Sequence, residues 1–232
     1  DLALGAVVGS NIANLILVMA ATSIILPISN ITKNQINQAW INIGLGVVLI
    51  FMSYLYFNFI FGFISIILLT YIMYIQFKKD SLNLEEINQK EYSSILSISL
   101  IFIGVIFLIY GSDLIVSSAI NLANYFKVSE AVIGLSIIAF GTSLPELVVG
   151  IMSAIKRKVD FALGNILGSN IYNVLGVLGV SSFFGKFTMP EILAKQDLFF
   201  MLLITVMILG FMFFFKKLGR IYGGIGLIIY AC

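Results

Sequence analysis

DLALGAVVGSNIANLILVM, Asp1 to Met19, returns 159 positions later as DFALGNILGSNIYNVLGVL, Asp160 to Leu178, with ten identities that include both GSNIxN cores. A duplication of this length inside an apolar chain is the mark of a membrane transporter assembled from two repeated halves. The second copy is preceded by AFGTSLPELVVG, Ala139 to Gly150, and the first by nothing, so the chain starts inside its own first repeat. Asp1 is therefore expected to be an internal start, and the last apolar run to be cut short as well.

The composition around the duplication belongs to the bilayer. Hydrophobic residues make up 60% of the 232 positions and charged residues 10%, against about 25% charged in soluble domains. Apolar runs fall near 2–28, 39–57, 59–77, 93–123, 130–155, 161–185, 197–215 and 218–232. Seven are close to the about 20 residues that cross about 30 Å of hydrocarbon, and the eighth stops short. An all-α polytopic membrane protein is expected, with the rest of a first half in 1–77, a connector at 78–92 and a second half in 93–232. The connector, KKDSLNLEEINQKEY, is the one long polar segment and reads as a solvated linker. With no His and a single Cys, Cys232, the chain has no disulfide framework and no soft-metal or haem ligand set, so any metal would be held by oxygen.

Basic residues give the orientation. Assigning loops to alternating sides places Lys33, Lys78, Lys79, Lys90, Lys156, Arg157, Lys158, Lys216, Lys217 and Arg220 on one side, and Lys127, Lys186 and Lys195 on the other. The first side is expected to be cytoplasmic. Five spans separate the starts of the two repeats, so the repeats run antiparallel, related by a pseudo-two-fold axis in the membrane plane. The net charge of +2 is explained by these loops and not by a nucleic-acid surface.

Chemistry must lie where polar groups sit at bilayer depth. Of the eleven acidic residues, nine fall in loops or at span ends, leaving Asp113 and Glu146. A carboxylate at the centre of a spanning helix costs about 3 kcal/mol on insertion scales, so it is normally paired, protonated or ligating. Thr142, Ser143 and Glu146 stand at i, i+1 and i+4, which puts Thr142 and Glu146 on one helix face, and Pro145 frees the carbonyl of Gly141 by lacking an N–H. Two hydroxyls, a carboxylate and loose carbonyls make an oxygen cage for a hard cation such as Na+ or Ca2+. The structural alternative is a Pro-kinked helix with Glu146 protonated. Ser10 and Asn14, like Ser169 and Asn173, are i, i+4 pairs that point the same way. Gly5 with Gly9, and Gly164 with Gly168, form GxxxG patterns that favour close helix packing. Taken alone, such a pattern beside Ser and Asn is a packing signal, whereas the inverted duplication brings both copies to one midplane site. Asp113 reads as a hydrated or hydrogen-bonded interfacial residue, and Trp40 with the Tyr54 to Phe57 cluster as interface belts.

GTSLPE followed by GNxxGSNIxN, with GSDLIVxxAxxLA upstream, resembles the second repeat of the sodium/calcium exchanger family within the calcium/cation antiporters. The resemblance covers essentially the whole chain and implies a ten-helix inverted-repeat fold, of which helices three to ten are present and the last is incomplete. It implies Thr142, Ser143, Glu146, Ser169, Asn173 and the carbonyl of Ala139 as ion ligands from the second repeat, with Ser10 and Asn14 from the first. The first-repeat counterpart of Glu146 is expected about fourteen residues before Asp1, by the 159-residue offset. Some relatives have Asp where this chain has Asn173, which changes the charge of the site and leaves the exchanged cations open. The implied activity is Na+/Ca2+ antiport in a plasma or inner membrane, with the ions and the bilayer as partners and no enzymatic activity, cofactor or protein partner. The alternatives are Ca2+/H+ antiport and an inactive fragment of either antiporter.

Overall fold

A computed structural model describes residues 2–29, 31–81, 93–125, 138–191 and 193–231. The chain is built from helices: α1 (Leu2–Ala13), α2 (Met19–Ile25), α3 (Lys33–Met52), α4 (Phe59–Ser81), α5 (Ser94–Tyr125), α6 (Ile138–Thr142), α7 (Leu144–Ile155), α8 (Val159–Tyr172), α9 (Leu178–Ser181), α10 (Leu198–Phe214) and α11 (Arg220–Ala231). Five-residue π-helical turns join α1 to α2 at Asn14–Val18 and α8 to α9 at Asn173–Val177, and a third, Leu193–Asp197, precedes α10. Among the described residues, six helical stretches are long and apolar enough to cross a membrane, and α7 and Arg220–Tyr230 are shorter apolar helices. This is the expected all-α membrane architecture. The helix of the second span begins at Lys33, six residues before the apolar run. Thr32 caps it reciprocally, accepting from the Gln35 N–H while its own N–H donates to Gln35 Oε1. Most of the connector, from residue 82 onward, lies outside the described residues, while its first residues continue α4 as helix.

The duplication is visible as matched structure. Adding 159 to the first π-helical turn gives the second, and adding 159 to strand β1 (Ile28–Ser29) gives β3 (Phe187–Thr188). β1 pairs antiparallel with β4 (Lys217–Leu218), and β3 with β2 (Tyr56–Phe57). The register Ile28 with Leu218 is repeated as Phe187 with Phe57. β1 and β2 flank the 20-residue α3, so the two strand pairs sit at opposite ends of a helix about 30 Å long. The loop before α3 therefore shares one end of the molecule with Lys216 and Lys217, and the loop after α3 shares the other end with Lys186.

Two buried apolar clusters occupy the two ends of the bundle. One gathers Leu4, Val8, Leu45, Leu49, Phe57, Ile171, Leu175 and Leu198, and the other Leu15, Val18, Ile28, Leu163, Ile166, Ile208 and Leu218. α5 lies outside both: nearly all its described apolar side chains, from Ile95 to Tyr125, are exposed, as befits a surface that faces lipid.

Three sequence expectations change. Phe57 is fully buried, stacked on Phe187 at 5.1 Å and edge-on to Phe61 at 4.9 Å, so it belongs to the core, while Tyr54, Leu55, Tyr56 and Trp40 are exposed. Of the GxxxG glycines, Gly5, Gly164 and Gly168 are not contact points, since a Cβ at any of them would meet nothing within 4 Å. Close approach happens elsewhere: a Cβ at Gly62 would lie 2.6 Å from the Gly179 carbonyl, and at Gly223 2.7 Å from the Ala20 carbonyl. These two contacts are the same contact in the two halves, because Ala20 and Gly179 are 159 apart. Finally, the Pro145 span is broken and not bent. α6 ends at Thr142, Ser143 leaves the helix with φ −98° and ψ 0°, and Pro145 sits in the first turn of α7. A proline needs no N–H partner there, so it starts a helix more readily than it interrupts one.

Candidate ion-binding site

The two GSNIxN cores face each other at the crossing of α1 and α8. Asn11 Nδ2 donates to the Asn170 carbonyl at 3.4 Å, and Asn170 Nδ2 to the Asn11 carbonyl at 3.4 Å. Asn14 Nδ2 donates to Ser169 Oγ at 3.1 Å and to Asn170 Oδ1 at 2.9 Å. Its counterpart Asn173 Nδ2 donates to Ser10 Oγ at 3.3 Å and to Asn11 Oδ1 at 3.0 Å. Every bond maps onto its partner when 159 is added or subtracted, so a local two-fold passes between Asn11 and Asn170. Ser10, Asn11, Asn14 and Asn170 are all buried.

This pairing orients the amides. An Asn side chain has two N–H donors and one carbonyl acceptor. Asn14 and Asn173 each use both donors inside the network, which fixes their Oδ1 atoms away from it. Asn14 Oδ1 is buried and has no partner, one of two such side-chain atoms among the described residues. A buried carbonyl oxygen without a donor costs about 1–3 kcal/mol, and a hard cation satisfies it directly.

The broken helix supplies the third wall. Ser143, 1% exposed, lies with its Oγ 3.1 Å from Ser10 Oγ and also donates to the Ser10 carbonyl at 3.4 Å. Its N–H bonds the Phe140 carbonyl at 3.1 Å, an i to i+3 turn that closes α6. Glu146 follows in the first turn of α7, half-buried, where the helix N-terminus favours a negative charge. The Leu147 N–H bonds the Ser143 carbonyl at 2.9 Å, an i to i+4 bond that ties the break to the first turn of α7. A Cβ at Gly150 would lie 2.6 Å from Thr22 Oγ1, so α7 packs directly on α2.

Among the sequence candidates, Ser10, Asn14, Ser143, Ser169 and Asn173 share one hydrogen-bonded network, and Glu146 stands one turn from Ser143. Thr142 is exposed at the end of α6 and does not share a continuous helix face with Glu146, because the break at Ser143 separates them. Ala139 lies in α6, where its backbone is helical. Asp113 is exposed on α5, apart from the network. Asn11 and Asn170 were not among the candidates, although they stand at the centre of the arrangement; their signal was identity in both copies of the repeat. Asn42 was missed too. On α3 it donates to the Leu167 carbonyl at 3.1 Å, fastening α8 two residues before Ser169. Among the described residues no group of three or more His, Cys, Asp or Glu converges, and the oxygens that the two cores and Ser143 bring together are those of hydroxyls and amides, with the Glu146 carboxylate one turn away.

The model of the sodium/calcium exchanger protein family matches residues 96–232. A putative antiporter of Alkalimonas amylolytica, CaxA, is 31% identical over 235 residues, which cover 95% of this chain and 72% of that protein. A membrane protein of Methanocaldococcus jannaschii is 30% identical over 243 residues, covering 99% of this chain and 74% of that one. The fold matches that of the sodium-calcium exchanger NCX_Mj soaked with Na+ with a TM-score of 0.81 at 31% identity, over 99% of this chain and 75% of that one. With matched half-repeats, reciprocal GSNIxN cores and these relatives, the chain is an integral membrane protein that belongs to the sodium/calcium exchanger family.

Proposed function

We propose that this protein exchanges Na+ for Ca2+ by alternating access, at a site formed by Ser10, Asn14, Ser143, Glu146, Ser169 and Asn173, with Thr142 and the Ala139 carbonyl joining it when α6 and α7 rearrange. The observation that carries the proposal is the unpartnered, fully buried Oδ1 of Asn14, held in place by two donor bonds of its own amide. Ca2+ takes 6–8 oxygens at about 2.3–2.6 Å, and the hydroxyls and amides of the two cores supply neutral ones. Glu146 supplies the charge that offsets dehydration of a divalent ion. Several Na+ ions compete for the same oxygens at similar total charge, which couples their movement to that of Ca2+ in the opposite direction.

The two halves, 1–77 and 93–232, meet at this site from opposite faces of the membrane, with the connector 78–92 in the cytoplasm and the whole in a plasma or inner membrane. The pairing of the β1 loop with the Lys216–Lys217 loop supports that assignment, since it brings basic residues of both halves to one end. NCX_Mj, described as a sodium-calcium exchanger with binding-site occlusion, supports the ion pair by relationship.

The test is counterflow in vesicles, with Na+ and pH gradients imposed separately on the parent protein and on Glu146→Gln. Ca2+ flux driven by the Na+ gradient, and lost in Glu146→Gln while expression is retained, is the expected result. Flux that follows the pH gradient and ignores Na+ would replace this reading with Ca2+/H+ antiport, in which Glu146 carries the proton. Full activity in the variant would remove Glu146 from the site.

A further inference from the structure

The two π-helical turns beside the site are alike in backbone and different in what holds them. In a π-helical turn the N–H bonds the carbonyl five residues back, so on return to α-helix one carbonyl is skipped. The Met19 N–H bonds the Asn14 carbonyl, and the skipped carbonyl is that of Leu15. In the second half the Leu178 N–H bonds the Asn173 carbonyl, and the skipped one is that of Val174.

Tyr222 of α11 donates its hydroxyl to the Leu15 carbonyl at 2.8 Å. Its reach is set by glycine packing. At Gly223 a Cβ would fall 2.5 Å from Ile24 Cγ1, and at Gly226 2.9 Å from Ala20 Cβ, so α11 lies directly on α2. The same packing recurs between α4 and α9 through Gly62, where the equivalent contacts are Gly179 and Phe183. That equivalence places Phe61 where Tyr222 stands. Phe61 has no hydroxyl, so it offers the carbonyl of Val174 no counterpart of the bond that Tyr222 gives the carbonyl of Leu15.

We propose that Tyr222 is a positioning residue that pins the first π-helical turn and with it Asn14, and that the second turn, which carries Asn173, is left unpinned. The inference rests on the ion-site reading for its consequence, because Asn14 is the amide whose oxygen is buried without a partner. The network orients both matched amides, and the frame of the protein also holds the backbone turn of one of them and not that of the other.

Two variants test this in the protein reconstituted in vesicles: Tyr222→Phe, which removes the pin, and Phe61→Tyr, which adds one to the second half. Hydrogen exchange is read over residues 14–25 and 173–184, together with KM and kcat for Ca2+ flux. Tyr222→Phe is expected to speed exchange about threefold in the first segment only and to raise KM about three- to tenfold with kcat within about twofold. Phe61→Tyr is expected to slow exchange in the second segment and to lower kcat. Unchanged exchange in both variants overturns the pin. Faster exchange with KM unmoved leaves a structural bond and overturns the positioning role, as does a uniform fall in kcat. If Tyr222→Phe does not fold, Phe61→Tyr alone decides by the same readings. Absence of Ca2+ flux in the parent refutes the transport reading and with it the role in positioning an ion ligand, while the exchange data still show whether Tyr222 holds the turn.

Discussion

The centre of the site offers a quantitative test, because its two halves are alike in bonding and unlike in burial. Asn170→Ala removes the acceptor 2.9 Å from Asn14 Nδ2 and the donor 3.4 Å from the Asn11 carbonyl. Asn11→Ala removes the mirror set, the acceptor 3.0 Å from Asn173 Nδ2 and the donor 3.4 Å from the Asn170 carbonyl. The 3.4 Å bonds lie beyond the usual N–H···O range and contribute little. A polar bond between membrane helices contributes about 0.6 kcal/mol on average and about 1.7 at most. Asn14 is 0% exposed, so its orphaned N–H in Asn170→Ala has no water to turn to, adding about 1–3 kcal/mol. Asn173 is only half-buried, so water replaces much of what Asn11→Ala removes. We expect a destabilisation of about 2–4 kcal/mol for Asn170→Ala and about 1 kcal/mol for Asn11→Ala. At about 2–4 °C per kcal/mol for a chain of this size, these correspond to falls of about 4–16 °C and about 2–4 °C in the melting midpoint. The assay is thermal unfolding of the detergent-solubilised protein without Ca2+. A larger effect for Asn11→Ala, or no shift for Asn170→Ala, would refute the argument from burial.

Asn173→Asp adds an ionisable group to a network that has only neutral side chains around Asn173, so initial Ca2+ flux at fixed Na+ is expected to become more pH-dependent than in the parent; identical pH profiles would place Asn173 outside the ion path. Gly223→Val and Gly164→Ala are expected to act in opposite directions. The first drives side-chain atoms into Ile24 and the Ala20 carbonyl and costs about 1–3 kcal/mol, and the second meets open space and gains up to about 1 kcal/mol of helix propensity. Melting midpoints that move together would show that the packing has been misassigned.

Much of this was legible because the duplication is long and the chemistry sits inside it. The i, i+4 spacing alone reads as packing; Ser10, Asn14, Ser169 and Asn173 stand out because the pair occurs in both copies of an inverted duplication that resembles a known ion-exchanger repeat. Asn11 and Asn170 do not, since they lie on the neighbouring helix face and reveal their role only when the two helices are crossed, one copy against the other. The π-helical turns have no local signature: they begin at Asn14 and Asn173, residues that suit an ordinary helix as well. Pro145 was read by its commonest effect, a kink, whereas its place beside Ser143 makes it the start of a new helix. The glycines show the limit of spacing arguments. Gly5 of α1 and Gly164 and Gly168 of α8 are open, and close contacts fall on Gly62 and Gly223, whose partners are backbone carbonyls of the other half. Tertiary contact decides which small residue is needed, and spacing along one helix does not contain it.

The two strand pairs carry a consequence for how such a molecule arises. β1 belongs to the first half and β4 to the second, and β2 and β3 are divided in the same way. Each clasp is therefore made between the halves and never within one. Residue i meets j while the counterpart of j meets the counterpart of i, which is the contact rule of an isologous dimer. Asn11 with Asn170 obeys it at the centre, and Ile28 with Leu218 obeys it at the edge. The fold is an isologous dimer written into one polypeptide, and differences such as Tyr222 against Phe61 are ones that two identical subunits could not have held.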